Sequence, residues 1–221
     1  MNELRIGIID DDATKVTQIQ TRLLVAWDDA SQEKRAKYSA LSLIPVEVKM
    51  HPTIDEALDE IRHLKVDCVL IDYRLSSYAK VTFTGIDLAK ALSAAHKGFP
   101  IFILTSYEDD IYAKEMFDVY QVFNFDRYMN DVNERIELNT KIVEQVFIHR
   151  KERVSWEMEL EQLLPRIGES AQIDTRILQL DGYIERAMDG VNAVPENVKQ
   201  QLSNGKIDDL LTKLDLLLKK D

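Results

Sequence analysis

The chain has 221 residues, of which 45% are hydrophobic and 30% charged, and it carries a net charge of −11 at pH 7. So acidic a chain is not expected to bind nucleic acid, because phosphate contacts need clustered Lys and Arg. Its single cysteine, Cys68, excludes an intramolecular disulfide. No signal peptide is recognisable, and no apolar run approaches the roughly 18 residues of a transmembrane helix. We therefore expect a cytoplasmic protein with neither nucleic acid nor membrane among its partners.

The first predicted elements alternate between strand and helix. An aliphatic strand over 4–9 ends in the acidic run Asp10–Asp12, and a helix with one apolar face follows over 13–27. Residues 28–44 are polar and are predicted either to extend that helix or to form an insertion. A short strand is predicted over 46–50.

The alternation continues to about residue 125. Thr53 and Glu56 have the spacing of a capping box, in which the hydroxyl and the carboxylate satisfy free amides at the start of a helix. The remaining elements predicted in this part are helix 54–64, the strand ending at Ile71, helix 86–96, strand 100–104, helix 109–119 and strand 122–125. Five strands joined by helical crossovers predict an α/β fold with a parallel sheet covered on both faces.

Strand signals stop near residue 131. Residues 131–164 contain no Pro or Gly and predict one long helix, with an apolar stripe formed by Ile136, Val143, Phe147, Val154 and Met158. Further helices are predicted over 174–189, 195–203 and 207–219. We therefore predict an α/β domain over 1–130 and an all-α region over 131–221, led by the long helix, with some coiled-coil character.

Polar side chains follow three of the predicted strands at the point where each strand ends. Asp10 and Asp11 follow the first, Asp72 follows the run Val69–Ile71, and Thr105 follows the fourth. In an open parallel sheet, functional groups collect outside the carboxyl ends of the strands. Carboxylates there suit Mg²⁺, and a hydroxyl suits a phosphoryl oxygen. The pattern predicts a magnesium-dependent phosphoryl-transfer site in which Asp72 is a candidate nucleophile.

Over residues 3–130 these motifs resemble the receiver domain of bacterial two-component response regulators. The resemblance implies a flavodoxin-like five-stranded parallel sheet of order 2-1-3-4-5, with helices on both faces. It implies Asp72 as phosphoacceptor and Thr105 as the hydroxyl that contacts the phosphoryl group. It also implies a Mg²⁺ site made by Asp10, Asp11, Asp72 and the main-chain carbonyl of Arg74.

The sequence departs from that family at the end of the fifth strand. The family places a Lys there, whereas residues 122–131 contain none. Counting from Thr105 puts Arg127 at the Lys position, while the local pattern puts Asp131 there. Arg127 is therefore the candidate replacement for the family Lys. The same count puts Asn124 at the position of the family's aromatic switch residue.

The resemblance implies a signalling protein that is phosphorylated by a histidine kinase or a phosphotransfer protein and acts on a protein effector through the helical region. Only self-phosphorylation from a donor and slow autodephosphorylation are expected of it. The long helix adds a homodimer as a hypothesis. Two alternatives stay open. One is a pseudo-receiver scaffold that works without phosphate. The other is a phosphatase resembling the haloacid dehalogenases, whose Asp-x-Asp-x-Thr motif is matched by Asp10, Asp12 and Thr14.

Overall fold

The structure, a computed structural model, describes residues 2–76, 80–106 and 122–188. Contacts between residues divide the chain into two units, Met1–Arg150 and Lys151–Asp221. The sequence analysis divided the chain at 130/131, and that division stays a prediction. The helices predicted over 109–119, 195–203 and 207–219 lie outside the described residues.

The first unit contains a parallel sheet with the strand order β2-β1-β3-β4-β5. Its strands are β1 (Asn2–Ile9), β2 (Leu41–Glu47), β3 (Cys68–Ile71), β4 (Ile101–Thr105) and β5 (Val122–Asn124). This is the predicted order, and the predicted α/β fold followed by C-terminal helices is confirmed.

The second strand begins earlier than predicted. β2 covers Leu41–Glu47, whereas the sequence pattern indicated 46–50. Pro45 lies inside this strand, opposite Ile6 of β1. A proline cannot donate to a sheet and normally argues against a strand, but it is tolerated at an edge, where one side of the strand has no neighbour. Because β2 is the edge strand of the sheet, the proline does not end it.

The helices of the described residues follow the predicted order with two additions. They are α1 (Ala13–Leu24), α2 (Gln32–Tyr38), α3 (Ile54–Leu64), α4 (Gly85–Ala95), α5 (Phe125–Asn130), α6 (Val132–Leu163) and α7 (Ala171–Met188), with a 3₁₀ turn over Leu164–Arg166. The additions are α2 and α5, and α5 follows β5 directly. The polar segment 28–44 holds a separate helix, α2, so it does not continue α1. Trp27 lies beyond the end of α1 and stacks on Tyr38 of α2 at 4.4 Å.

Side-chain caps begin two helices beside the sheet. The predicted capping box at α3 is confirmed, since the Glu56 amide donates to Thr53 Oγ1 and the Thr53 amide donates to Glu56 Oε2, both at 3.3 Å. Thr84 and Asp87 form a second capping box at the start of α4, which the sequence analysis did not identify.

Alternate residues of the buried strands face opposite layers of helices. Cys68 and Leu70 of β3 belong to a core shared with α1, α5 and α6, while Val69 and Ile71 face α3 and α4. A strand covered on both faces is apolar at every position, which is why β3 has no polar residue along its length. The sheet therefore holds its carboxyl edge rigidly between two packed layers.

The first half of α6 belongs to this core. Ile142, Val143 and Val146 are buried in the layer that also contains α1. Buried polar contacts accompany them: Arg135 pairs with Asp29 at 2.8 Å, and Asn139 donates to the carbonyl of Ala26 at 3.1 Å. The part of the long helix up to residue 150 is thus a component of the α/β unit.

Residues of the second unit pair with one another across the turn at 164–166. Arg176 of α7 makes two hydrogen bonds to the Glu159 carboxylate, each of 2.7 Å, and the rings of Trp156 and Tyr183 lie 5.4 Å apart. Throughout the part of the chain that the structure describes, no helix combines the length and apolarity needed to cross a membrane.

Candidate functional site

The register of the sheet brings two acids to one edge. Ile9 of β1 lies opposite Ile71 of β3, so that Asp10 and Asp72 follow at the same level. The amide of Asp72 donates to the carbonyl of Ile9 at 2.8 Å, which extends the ladder by one bond past the strand. The buried aliphatic strands therefore determine where both carboxylates lie.

Asp10, Asp11 and Asp72 form an acidic triad. Each offers an oxygen such that the three oxygens lie within 4.8 Å of one another. The side chains of Asp10 and Asp72 are 2% and 3% exposed, while Asp11 is half-buried. One oxygen of Asp10, Oδ1, accepts from the amide of Asp12 at 2.8 Å. The other, Oδ2, is buried and accepts no hydrogen bond from the described residues.

Burial raises the pKa values of two carboxyl groups of this triad, those of Asp10 and Asp72. It raises the pKa of Asp10 to about 7, and the nearby Asp72 carboxylate adds to the rise, while the Asp12 amide and Lys15 act against it. Burial also raises the pKa of Asp72, although Lys15 and the Thr105 hydroxyl oppose this. Two carboxyl groups kept this close in a dry site repel each other when both are ionised, and a cation relieves that repulsion.

Thr105 lies where the sequence predicted it, beside Asp72. It is the last residue of β4, the neighbour of β3, and it is fully buried. Its hydroxyl acts on Asp72 closely enough to lower the pKa of that carboxyl group. A hydroxyl in this position is suited to donate to an oxygen bonded to phosphorus.

Lys15 is the residue of the site that the sequence analysis missed. It lies in the first turn of α1, and its Nζ is 3.4 Å from Asp72 Oδ2 and 3.9 Å from Asp10 Oδ2. Its ammonium group also lies 5.3 Å from the centre of the Phe125 ring. One signal was present in the sequence. Cations are disfavoured near the positive end of a helix dipole, so a lysine in a first turn needs another partner.

The other candidates at the end of the fifth strand lie in different surroundings. Arg127 is on α5, is 65% exposed and pairs with Glu134 at 3.7 Å. The carboxylate of Asp131 accepts from the Asn133 amide at 2.8 Å, at the start of α6. Asn124 caps α5 by accepting from the Arg127 amide at 2.9 Å. Among the residues that the structure describes, the cation that lies beside Asp72 is thus Lys15.

The structure also shows the positions of Asp12 and Arg74, two further residues that the sequence analysis named. Asp12 caps α1, since its Oδ1 accepts from the Thr14 amide at 2.8 Å, and it is not part of the acidic triad. Arg74 lies two residues past Asp72 with its side chain exposed. The role of its main-chain carbonyl as a metal ligand stays a prediction.

Gly85 brings the start of α4 against the phosphoacceptor candidate. A Cβ built on Gly85 lies 1.9 Å from the carbonyl oxygen of Asp72, where no side chain fits. The Gly85 amide donates to the carbonyl of Tyr73 at 2.9 Å. Glycine is needed here because two backbones approach each other closely, and this fixes the backbone at Asp72 and Tyr73.

The triad fits a magnesium ion by its chemistry. Mg²⁺ binds oxygen ligands and is commonly held by one or two carboxylates with waters and phosphate oxygens. Asp10, Asp11 and Asp72 supply carboxylates within one small volume, and the buried Oδ2 of Asp10 has a ligand position left open. These residues are the ones that would hold the ion.

Comparison with protein-family models and with curated proteins gives no match. Among solved structures, the chain is similar to the anti-anti-sigma factor PhyR from Bartonella quintana, with 12% identity and a TM-score of 0.41 over 70% of this chain. It is also similar to the response regulator PhyR from Brucella abortus, with 17% identity and a TM-score of 0.39 over 68% of this chain. The matches span 51% of each of those chains. Likenesses this distant leave the function to be inferred from the site itself.

Together, the sheet order 2-1-3-4-5 and the acidic triad at its carboxyl edge define a receiver-like domain. The resemblance noted from the sequence is thus confirmed at the level of the domain.

The raised pKa of Asp10 predicts a pH-dependent cost to folding. Between pH 4 and 7 the unfolded chain gives up the Asp10 proton while the folded chain keeps it, so stability falls as the pH rises through this window and levels off above about 7. We expect Asp10→Asn to be the more stable protein without metal above pH 7, by on the order of 3 kcal/mol. Urea denaturation of both proteins at pH 4 to 8 with EDTA checks this. A difference in stability that does not change with pH would contradict it.

Proposed function

We propose that the chain is a phosphoacceptor protein of a two-component or phosphorelay pathway, in which Mg²⁺-dependent phosphorylation of Asp72 controls protein–protein contact. The observation that carries the proposal is the position of Asp72: a buried carboxylate in the acidic triad, with the Thr105 hydroxyl beside it. A buried acid among other acids gains little in stability, so its presence favours a chemical role.

In the proposed reaction an oxygen of the Asp72 carboxylate attacks phosphorus and forms a new O–P bond. The bond from phosphorus to the donor breaks, and the donor's nitrogen or oxygen keeps the electron pair. The Thr105 hydroxyl donates to a phosphoryl oxygen. Asp10, Asp11, Asp72 and the main-chain carbonyl of Arg74 would hold Mg²⁺, whose charge would offset the repulsion between the carboxylate and phosphoryl groups. Slow hydrolysis of the acyl phosphate returns Asp72 to its free form.

The partners follow from the same proposal. A histidine kinase or a phosphotransfer protein supplies the phosphoryl group, and a protein effector receives the signal through the helical region 131–221. The net charge of −11 supports a protein and not a nucleic acid as the target. A homodimer through the helical region belongs to the proposal as well, and light scattering over a range of concentrations tests it.

The decisive test is formation of an adduct at Asp72. Wild-type protein incubated with acetyl phosphate and Mg²⁺ is expected to gain one phosphoryl group by intact mass, and Asp72→Ala is expected to gain none. Acetyl phosphate transfers to a carboxylate without a kinase, so the test does not need the natural partner. An adduct of equal yield on Asp72→Ala, or none on the wild type, would rule out Asp72 as the acceptor.

A second candidate function is a pseudo-receiver scaffold that works without phosphate. The ammonium of Lys15 favours it, because a cation at 3.4 Å from Asp72 already offsets part of the charge of the triad. This candidate predicts no adduct on the wild type. The phosphatase hypothesis has less support, since Asp12, its required acid, caps α1.

A further inference from the structure

Lys15 reaches the acidic triad from an unexpected element. It projects from the first turn of α1, which directly follows the strand that ends at Asp10. Its side chain is 22% exposed, so the ammonium is partly withdrawn from water. Burial lowers the pKa of Lys15, but the Asp72 and Asp10 carboxylates outweigh it and leave the pKa raised. Lys15 is therefore charged at neutral pH.

The aromatic ring of Phe125 supports this position. It lies 5.3 Å from the Lys15 ammonium and is itself buried at the start of α5, immediately after β5. A cation over an aromatic ring is attracted by the ring's electron density. Phe125, which follows β5, thus contributes an aromatic ring that holds the Lys15 ammonium. This ring stands in the part of the chain where the family Lys is lacking.

We propose that Lys15 is the residue whose ammonium binds the phosphoryl group on Asp72. This inference rests on the proposed function, and it assigns to α1 a role that the sequence resemblance placed at the end of the fifth strand. The Lys15 ammonium is 3.4 Å from Asp72 Oδ2, within reach of any group bonded to that carboxylate. A lysine suits this task because its compact charge sits on a flexible stem with three donors.

The same position of Lys15 weakens Mg²⁺ binding, whereas it strengthens binding of the phosphoryl group. Its positive charge lies beside two of the carboxylates that would hold Mg²⁺, and like charges repel. Removal of the ammonium should therefore strengthen Mg²⁺ binding and weaken phosphoryl binding. A variant that merely disturbs the fold would weaken both. The two measurements together separate a direct contact from a structural defect.

The experiment uses beryllofluoride, a stable mimic of the phosphoryl group, titrated into the full-length protein at saturating Mg²⁺ and followed by calorimetry. Lys15→Met keeps the length of the side chain and removes its charge. We expect about tenfold or greater loss of beryllofluoride affinity, since a hydrogen bond to a charged group contributes this much. In a separate titration without beryllofluoride, Mg²⁺ should bind severalfold more tightly. Lys15→Arg should retain part of the beryllofluoride affinity.

The control is Lys90→Met, which makes the same change at an exposed lysine of α4 and should alter neither affinity. Unchanged beryllofluoride affinity in Lys15→Met, a parallel loss of Mg²⁺ affinity, or the same loss in Arg127→Gln instead would each overturn the role of Lys15. These results leave the proposed function intact, because the wild type still binds the mimic. Failure of the wild type to bind beryllofluoride would reject both.

Discussion

Replacing Asp10 with Asn is expected to lower the affinity for Mg²⁺ by about 100-fold or more, since even residues that only support a metal ligand are often worth 10- to 100-fold. One oxygen of Asp10 is buried and has no hydrogen-bond donor among the described residues, so it keeps a ligand position open within the triad. An amide keeps the shape of the side chain but removes the negative charge. Calorimetric titration at pH 8, where the carboxyl group is ionised, measures the loss.

Asp12→Asn is the matched control for this variant. The same chemical change is made two residues further on, at a carboxylate that caps α1 and takes no part in the triad. Asparagine caps helices about as well as aspartate does, so neither stability nor Mg²⁺ affinity should change much. If Asp12→Asn costs as much affinity as Asp10→Asn, the metal site has been assigned to the wrong carboxylates.

The second large effect is expected from Gly85→Ala. A methyl group at this position lies 1.9 Å from the carbonyl oxygen of Asp72, so the start of α4 has to move away. This movement breaks the hydrogen bond from the Gly85 amide to Tyr73 and displaces the loop that follows Asp72. We expect a loss of about 3 kcal/mol in the free energy of unfolding, together with weaker Mg²⁺ binding.

Urea denaturation followed by the fluorescence of Trp27 measures this in a Trp156→Phe background, because the chain has two tryptophans. Gly7→Ala provides the comparison within the same unit. The three atoms nearest to its new methyl group belong to valine side chains, at 3.0 to 3.3 Å, and these can shift. The cost should be clearly smaller, about 1 kcal/mol. Equal costs at the two glycines would show that the contact with the Asp72 carbonyl is not rigid.

Much of the fold was predictable because buried strands have a recognisable apolar pattern in the sequence. The unbroken apolar run before Asp72 has to be covered on both faces, and such strands occur in parallel sheets. Once the strands are parallel, their carboxyl ends meet, which is why Asp10, Asp72 and Thr105 were predicted to lie together. The bounds of β2 were missed because its proline is acceptable only at an edge, and which strand is at the edge depends on the tertiary structure.

Lys15 was missed for a different reason. The resemblance predicted a cation at the end of the fifth strand, and counting from Thr105 placed Arg127 there. The distance from α1 to Asp72 depends on how the helix packs on the sheet, and no spacing in the sequence gives that. The predicted stripe on α6 is covered only in part: Ile136 and Val143 are buried, whereas Met158 is 56% exposed. Helical periodicity shows which face is apolar but not how much of it is covered.

The polar contacts of Arg135 limit how the first part of α6 can move. Arg135 is 4% exposed, and its guanidinium is held by Asp29 and by the carbonyls of Tyr128 and Met129. Detaching this part of the helix would leave a charge without partners in an apolar core, at a cost of several kcal/mol. Any movement of residues 132–150 is therefore expected to be a small shift of the intact helix and not its detachment from the core.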